Sequence, residues 1–219
     1  MSSTANRLKY LDAIGVQVWE ERAPPTPQVV ENFNRPIDAQ DLFQLQALTN
    51  ACERCESSQS RKNVVFGHGS TQADWLIVGE FPSEQDDRQA APFTQTRGQL
   101  LDAMLSSLDI KRTDVYLTNS VKCYSSGAAD EAAALIACRQ YLLRQIELVQ
   151  PKVVLLLGDK AAQSLLNSNK EIIELRGKSH AVENVSAPIV VSHSLDYLLL
   201  TGLAKKQAWD DLKLANSVF

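Results

Sequence analysis

The stretch Pro151-Lys152-Val153-Val154-Leu155-Leu156-Leu157-Gly158 decides the fold. Its apolar residues run without alternation, which is typical of a strand that is buried on both faces of a parallel sheet. A glycine ends the run, and the residues that follow, 159–166, predict a helix. A buried strand that passes directly into a helix is the repeating unit of α/β folds.

Three further apolar runs of the same kind occur along the chain. They are Trp75–Glu80, Val115–Asn119 and Pro188–Val191. Helices are predicted around them, over residues 38–50, 99–108, 131–149 and 203–216. This alternation predicts an α/β fold, namely a three-layer α/β/α domain with a mainly parallel, four-stranded central sheet, over residues 38–219.

Each predicted strand ends at a residue that suits a ligand site. These residues are Glu80, Asn119, Gly158 and His193. The carboxyl ends of parallel strands meet at one edge of a sheet, and ligands of open α/β sheets bind beyond that edge. The sequence therefore predicts that these four residues converge on one binding site.

The composition argues against two broad classes of protein. The net charge of -4 and the pI near 5.4 disfavour a protein that coats nucleic acid with its whole surface, although a local basic patch remains open. No apolar run reaches the roughly 20 residues of a membrane span, so no membrane partner is expected. Residues 1–7 lack the apolar core of a secretory signal, which predicts a cytoplasmic protein with reduced thiols rather than disulfides.

The chain has four cysteines, arranged as two separated pairs. They are Cys52, Cys55, Cys123 and Cys138. A Cys-x-x-Cys pair can share a metal, and folding would have to bring the second pair beside it. The spacing predicts a four-thiolate metal site but leaves zinc and iron–sulfur open, and buried thiols without a metal are the alternative.

The N-terminal segment, residues 1–22, combines a short amphipathic helix with an extended apolar stub. Its apolar residues include Leu11, Ile14, Val16 and Trp19, and Gly15 can close the helix. Residues 23–37 follow as a proline-rich linker, which neither a helix nor a central strand can contain. This arrangement predicts a docking peptide held away from the main domain, and the alternative is that it packs on that domain.

Several stretches, over about residues 45–215, resemble the motifs of the family-4 uracil-DNA glycosylases. They are residues 79–87 (GEFPSEQDD), Pro92-Phe93, 98–102 (GQLLD), 115–123 (VYLTNSVKC) and His193 with Tyr197-Leu198-Leu199. The resemblance implies the uracil-DNA glycosylase fold, a role in DNA repair and a [4Fe–4S] cluster on the four cysteines. It also implies that this cluster is structural.

The resemblance also implies roles for individual residues. Glu80 would lie near the glycosidic carbon or its water, and His193 would stabilise negative charge on the O2 atom of uracil. Phe93 would stack on a uracil flipped out of the DNA, and Asn119 would read its polar edge. Asp86 would belong to the substrate-binding residues, where active members of the family have glutamate.

The chain departs from the family pattern at several positions around the expected site. Phe81 and Ser83 replace small residues, the family's Val-Gly-x-Ala-Gly after Phe93 reads TQTRG (residues 94–98), and the closing loop HSLDYLLL (193–200) lacks the family's proline and arginine. That loop also contains an aspartate, Asp196, where it is expected to wedge into DNA. These changes predict weak DNA binding and weak or absent catalysis.

The N-terminal peptide has a resemblance of its own. Leu11, Ile14, Gly15, Val16 and Trp19 resemble the N-terminal peptide of the psi subunit of bacterial DNA polymerase III. This implies that the peptide binds the chi subunit of the clamp loader or another replication protein. The preferred hypothesis is therefore a psi-like clamp-loader subunit of DNA replication with little or no glycosylase activity. The alternatives are an active family-4-like glycosylase that hydrolyses the N-glycosidic bond of uracil in DNA, and a metal-binding interaction module.

Overall fold

The computed structural model describes residues 36–125 and 130–218. In this part of the chain one six-stranded sheet lies between two layers of helices. The strands are β1 (His68–Gly69), β2 (Trp75–Gly79), β3 (Val115–Asn119), β4 (Val153–Leu157), β5 (Ser179–Val182) and β6 (Val185–Ser192). Their order across the sheet is β1-β3-β2-β4-β6-β5.

The four central strands are the four predicted ones, and they run parallel. The register places Gly79 opposite Asn119 and Leu157 opposite Ser192, so the carboxyl ends of these strands meet at one edge. The mainly parallel sheet is confirmed, but it has six strands rather than the predicted four, because β1 and β5 add an antiparallel strand at each side. Both added strands are short and partly exposed, so neither has the continuous apolar run by which buried strands are recognised.

Nine α-helices pack around the sheet in the described part of the chain, and a 3-10 helix, Arg112–Asp114, precedes β3. The α-helices are α1 (Leu42–Asn50), α2 (Ser57–Ser60), α3 (Glu84–Gln89), α4 (Gln95–Ser106), α5 (Glu131–Val149), α6 (Asp159–Leu166), α7 (Ile172–Leu175), α8 (Leu195–Leu200) and α9 (Ala204–Ser217). α5 and α6 have the predicted bounds. α1 begins at Leu42 instead of residue 38, because the carboxylate of Asp41 accepts a hydrogen bond from Gln44 N at 2.8 Å and caps the helix there.

Each central strand buries both of its faces. In β4, Leu156 packs toward α5 and α6, whereas its neighbour Leu155 packs toward α4 and α9. Both leucines are inaccessible to solvent, as the unbroken apolar run predicted. Since both faces of the sheet are covered, a ligand can approach the central strands at their carboxyl edge and the loops beyond it.

The predicted docking peptide, residues 1–22, and residues 23–35 of the predicted linker lie outside the described residues. Ile37, at the end of that linker, packs with Leu45 and Tyr141 in a small cluster. Arg144 donates hydrogen bonds to the carbonyl of Ala39 and ties the same segment to α5. Within the described residues, no helix combines the length and the apolar character needed to cross a membrane.

Candidate functional site

A cavity of about 130 Å³ lies at the carboxyl edge of β2, β3 and β4. Its walls are formed by Gly79, Glu80, Phe81, Phe93, Arg97, Asn119, Leu157, Ser194, Leu195 and Asp196. Pockets for drug-sized ligands usually measure about 300–1,000 Å³, so this volume suits one small ring. We call it the base cavity.

Asn119 forms the polar floor of the base cavity. It is the last residue of β3 and is 2 % exposed, and its Nδ2 is a buried donor without a hydrogen-bond partner. Gly79 makes room for it, because a Cβ at that position would lie 2.5 Å from Asn119 Oδ1. An unsatisfied buried donor costs about 1–3 kcal/mol, which a ligand with a matching acceptor would recover.

Phe93 forms the aromatic wall of the base cavity. Its ring packs so closely on Gly79 that a Cβ there would lie 2.7 Å from it. The backbone of Phe93 has a positive φ of 55°, a conformation that is uncommon for a non-glycine residue. Arg112 holds this turn by donating hydrogen bonds to the carbonyls of Pro92 and Phe93, each at 3.0 Å. Gly98 lets the Phe93 carbonyl approach, because a Cβ at Gly98 would collide with it.

Asp86 does not line the base cavity, although the resemblance implied a substrate-binding role for it. Its carboxylate is 1 % exposed and accepts hydrogen bonds from Ser83 N and Thr94 N, each at 2.8 Å. Asp86 and Ser83 form a reciprocal capping box at the start of α3. Asp86 therefore braces the loop that carries Phe93. In the same loop Gln95 has a φ of 53°, at a position where the family pattern has glycine.

Glu80 follows β2 and lines both the base cavity and a neighbouring cavity. Its Oε1 accepts a hydrogen bond from Lys160 N, in the first turn of α6, at 2.9 Å. The carboxyl group lies directly against Gly158, where any Cβ would collide with it. Burial raises the pKa of Glu80. The hydrogen bond and charge of Lys160 oppose this shift, while the charges of Asp159 and Asp196 add to it.

His193 lies in the neighbouring cavity, which has a volume of about 500 Å³. Its Nε2 is 2.7 Å from Gln207 Oε1, and its ring centroid is 4.9 Å from that of Tyr197. Glu80 and Ser194 line both cavities and so connect them. The structure thus brings Glu80, Phe93 and Asn119 together in one cavity and places His193 in the next.

Comparison with known proteins agrees with this geometry. Residues 66–213 match the model of the uracil-DNA glycosylase superfamily. The chain belongs to this superfamily. A type-4 uracil-DNA glycosylase of Archaeoglobus fulgidus is 35% identical over 138 residues, which are 61% of this chain and 69% of the relative.

Two other relatives have the same name. A type-4 uracil-DNA glycosylase of Sulfurisphaera tokodaii is 34% identical over 147 residues, or 64% of this chain and 67% of the relative. One of Thermotoga maritima is 35% identical over 128 residues, or 58% of this chain and 67% of the relative. These matches confirm the α/β fold and the resemblance to family-4 uracil-DNA glycosylases. The resemblance of the N-terminal peptide to the psi subunit stays a prediction.

Sequence reasoning missed several residues of the candidate site. Leu157, Leu195 and Arg97 line the base cavity, and Gln207 contacts His193 from α9. Arg97 and Asp196 are 99 positions apart, yet they form a two-pronged ion pair, with N–O distances of 2.7 and 2.5 Å. Only their opposite charges could have indicated this pair, and a single sequence does not show which charged side chains contact each other.

A buried ion pair supports the end of β6 behind His193. Asp211 is inaccessible to solvent, and its carboxylate accepts hydrogen bonds from both Arg176 and Ser192. Arg176 also donates to the carbonyl of Gln207 at 2.6 Å. Since Gln207 contacts His193 directly, this network holds β6, α7 and α9 around the imidazole.

Lys122 links the base cavity to the cysteine residues. It is fully buried, and its Nζ donates to Thr118 Oγ1 at 2.6 Å and to the carbonyl of Asn119 at 2.5 Å. Burial lowers the pKa of Lys122 to about 7, while the nearby Cys138 and Cys123 raise it. The loop after β3 therefore carries the floor of the cavity at one end and Cys123 at the other.

The four cysteines are free thiols in one region of the uracil-DNA glycosylase fold. Burial raises the pKa of Cys123, the hydrogen bond and charge of Arg61 oppose this, and Cys55 and Cys52 lie near enough to add to it. Burial also raises the pKa of Cys138 to about 12, while a backbone hydrogen bond from Lys122 lowers it. Such thiols lose their protons when a metal binds them.

The surroundings of these thiols suit a bound metal group. Arg61 donates a hydrogen bond to Cys123 Sγ at 3.1 Å, and such a donor also stabilises the negative charge of a thiolate that binds a metal. Over residues 36–125 and 130–218, no three Cys, His, Asp or Glu side chains are arranged to hold a single metal ion. By the chemistry of the donors alone, four sulfur atoms are the ligand set of an iron–sulfur group or of zinc.

Proposed function

We propose that this protein is a uracil-DNA glycosylase, which hydrolyses the N-glycosidic bond of deoxyuridine in DNA. The observation that carries the proposal is the unpartnered Nδ2 of Asn119, buried in a cavity sized for a single ring. The names and similarity of the relatives support the same activity. They favour it over the inactive clamp-loader subunit that the departures in the sequence predicted.

The base cavity has the chemistry needed to select uracil. The O4 atom of uracil accepts a hydrogen bond, and its N3–H donates one, so an amide with both a donor and an acceptor matches this edge. Asn119 provides that amide, and Phe93 provides an aromatic face for stacking. An enzyme that acts on a base must take it out of the helix and hold it in this way.

The proposed reaction breaks the bond between N1 of uracil and C1′ of the sugar. The electron pair of that bond stays on uracil, water adds its oxygen to C1′, and a proton is released. Glu80, where the two cavities meet, would accept this proton or stabilise positive charge at C1′. His193 would stabilise the negative charge that develops on O2 of uracil. To do so, its Nε2 would leave Gln207 Oε1 and form a hydrogen bond with this oxygen instead.

We also propose that the four cysteines hold a [4Fe–4S] cluster. The proposal is supported by the family resemblance, by the shared location of the thiols and by the hydrogen bond from Arg61 to Cys123. When bound, the cluster would cross-link residues 52–55 to the loop after β3 and to α5. No step of the proposed reaction uses it.

A uracil-release assay tests the proposed activity. The protein is incubated with single-stranded and double-stranded DNA that contains one uracil. We expect release by the wild type and a loss of about a hundredfold or more in Asn119→Ala, because the polar edge of the base then has no partner. Asn50→Ala, on the exposed end of α1, is the matched control. Absence of uracil release by the wild type, or full activity of Asn119→Ala, would refute the proposal.

The N-terminal peptide supports a second, compatible proposal. Leu11, Ile14, Val16 and Trp19, followed by the proline-rich linker, would dock the enzyme on the chi subunit of the clamp loader. Binding is measured with the full chain and a Leu11→Ala/Trp19→Ala variant. We expect the wild-type chain to bind the chi subunit and the variant not to bind it. Equal binding of both, or of neither, would rule out this role for the peptide.

A further inference from the structure

The ion pair between Arg97 and Asp196 lies at the mouth of the base cavity. The side chains of Arg97 and Asp196 are 28% and 52% exposed, whereas Gly79, Phe93 and Asn119 at the bottom are buried. Nε and Nη2 of Arg97 donate to the two carboxylate oxygens of Asp196, at 2.7 and 2.5 Å. Both prongs of the guanidinium fork are therefore occupied at the entrance.

The pair joins two helices that enclose the cavity from different parts of the chain. Arg97 lies in the first turn of α4, just after Phe93, and Asp196 lies in the first turn of α8, just after His193. Arg97 stands where the family pattern has alanine, and Asp196 adds a negative charge to the closing loop. The two charges meet across the cavity although they are 99 positions apart in the chain.

The charges around the cavity make Arg97 a candidate to bind a phosphate of DNA. Among the described residues that line the base cavity, Arg97 is the one Lys or Arg, while Glu80 and Asp196 carry carboxylates. A base that enters the cavity brings its flanking phosphates to the mouth, one sugar away. The guanidinium fork binds phosphate with the same two-pronged geometry as carboxylate. Because exposed ion pairs are weak, a phosphate can displace Asp196.

We propose that Arg97 and Asp196 form a clasp over the base cavity, which DNA opens when a backbone phosphate takes the place of Asp196 on Arg97. Arg97 is then a positioning residue for the DNA backbone, and Asp196 is its competitor in the free protein. The clasp acts on a nucleotide that enters the cavity, so it rests on the proposed function.

Binding measurements on the full chain test the clasp without requiring catalysis. The probe is a fluorescent single-stranded oligonucleotide with one deoxyuridine, whose sugar carries a fluorine that prevents hydrolysis. Its affinity is measured by anisotropy over a range of salt concentrations. We expect Asp196→Asn to bind about fivefold more tightly than the wild type, since the competitor is removed. Arg97→Gln should bind more weakly, and its log–log salt slope should fall by about one.

Asp74→Asn is the matched control. It makes the same chemical change and breaks an exposed ion pair, with Lys152 at 2.9 Å, but at the amino ends of β2 and β4. We expect it to change affinity less than twofold, because it lies at the opposite edge of the sheet. In an Arg97→Gln background, Asp196→Asn should give no gain. Equal effects of Asp196→Asn and Asp74→Asn, or the same gain without Arg97, would overturn the clasp.

The uracil-release assay, together with binding of this probe and of a matching probe with thymidine in place of deoxyuridine, separates failure of the clasp from failure of the proposed function. A wild type that releases uracil, with variants that bind alike, would refute the clasp and leave the glycosylase in place. A wild type that binds deoxyuridine and thymidine probes equally and releases no uracil would refute the glycosylase. The clasp, as an entrance to a base site, would then be refuted with it.

Discussion

At the scale of single residues, Glu80 faces two opposing requirements. Its carboxylate has to be ionised to act on water or on a positive sugar carbon, yet burial raises its pKa. The folded protein therefore binds this proton more tightly than the unfolded chain does. It follows that the stability associated with Glu80 is greatest at low pH and is lost as the pH rises through the raised pKa.

Glu80→Gln should separate these two requirements. We expect uracil release to fall by about 10²–10⁴-fold, because the variant lacks the proton acceptor. The melting temperature at neutral pH should rise, because a partly buried charge is removed while the oxygen that accepts from Lys160 N is kept. Thermal melts of both proteins as a function of pH check this.

The pH dependence supplies the control. The difference in melting temperature should vanish at low pH, where Glu80 itself is protonated. Wild-type activity should decline on acidification with a midpoint above that of an exposed glutamate, because burial and the charges of Asp159 and Asp196 raise the pKa of Glu80 against the opposing effect of Lys160. A variant that melts below the wild type at neutral pH would contradict this account.

At the scale of secondary structure, three elements hold His193 through one buried ion pair. Arg176 follows α7, Asp211 belongs to α9, and Ser192 ends β6. Asp211→Asn leaves the guanidinium of Arg176 without its countercharge, and breaking a buried pair costs about 3 kcal/mol or more. For a protein of this size, each kcal/mol corresponds to about 2–4 °C.

We therefore expect Asp211→Asn to lower the melting temperature by about 6–12 °C and to reduce uracil release, because β6 and Gln207 lose their support. The neighbouring Asp210→Asn is the control, since Asp210 is exposed and pairs with Lys213 at 2.8 Å. It should leave both quantities unchanged. Equal melting temperatures for the two variants would show that the ion pair does not support the fold.

The elements also show how far a single sequence predicts this fold. β2, β3, β4 and half of β6 were predicted, because these residues are largely buried on both faces and their apolar runs are continuous. β5 was missed because its burial alternates and it pairs by a hairpin with the first residues of β6. β5 is stabilised by its pairing with β6, and the pattern of apolar residues within β5 does not show which strand it pairs with.

At the scale of the whole molecule, the cysteines connect segments that are far apart in sequence. Cys52 and Cys55 follow α1, Cys123 follows β3 and Cys138 lies on α5. A cluster on these thiols would link the small core around Ile37 to the central sheet. Because a metal that binds only the folded state stabilises it, loss of the cluster should destabilise the entire domain.

Cys123→Ser should give a paler protein with less iron and a melting temperature lowered by several degrees, because about 1–2 kcal/mol or more of binding energy is lost. Ala137→Ser, which also places a hydroxyl at a buried position, is the control and should keep its iron. Iron and zinc analysis together with thermal melts check this. A colourless wild type that contains zinc would contradict the cluster.

The sequence by itself determined the central sheet, the two main covering helices and the identity of most site residues. Continuous apolar runs specify buried strands, and the residues that end them are fixed by chain order. Only the tertiary structure decided which of these residues share a cavity. The strand register places Asn119 beside Gly79. His193 contacts Gln207 in the neighbouring cavity, and the buried carboxylate of Asp86 supports the loop of Phe93. The tertiary structure also brought Arg97 to Asp196, because contacts between distant helices depend on packing that no local pattern encodes.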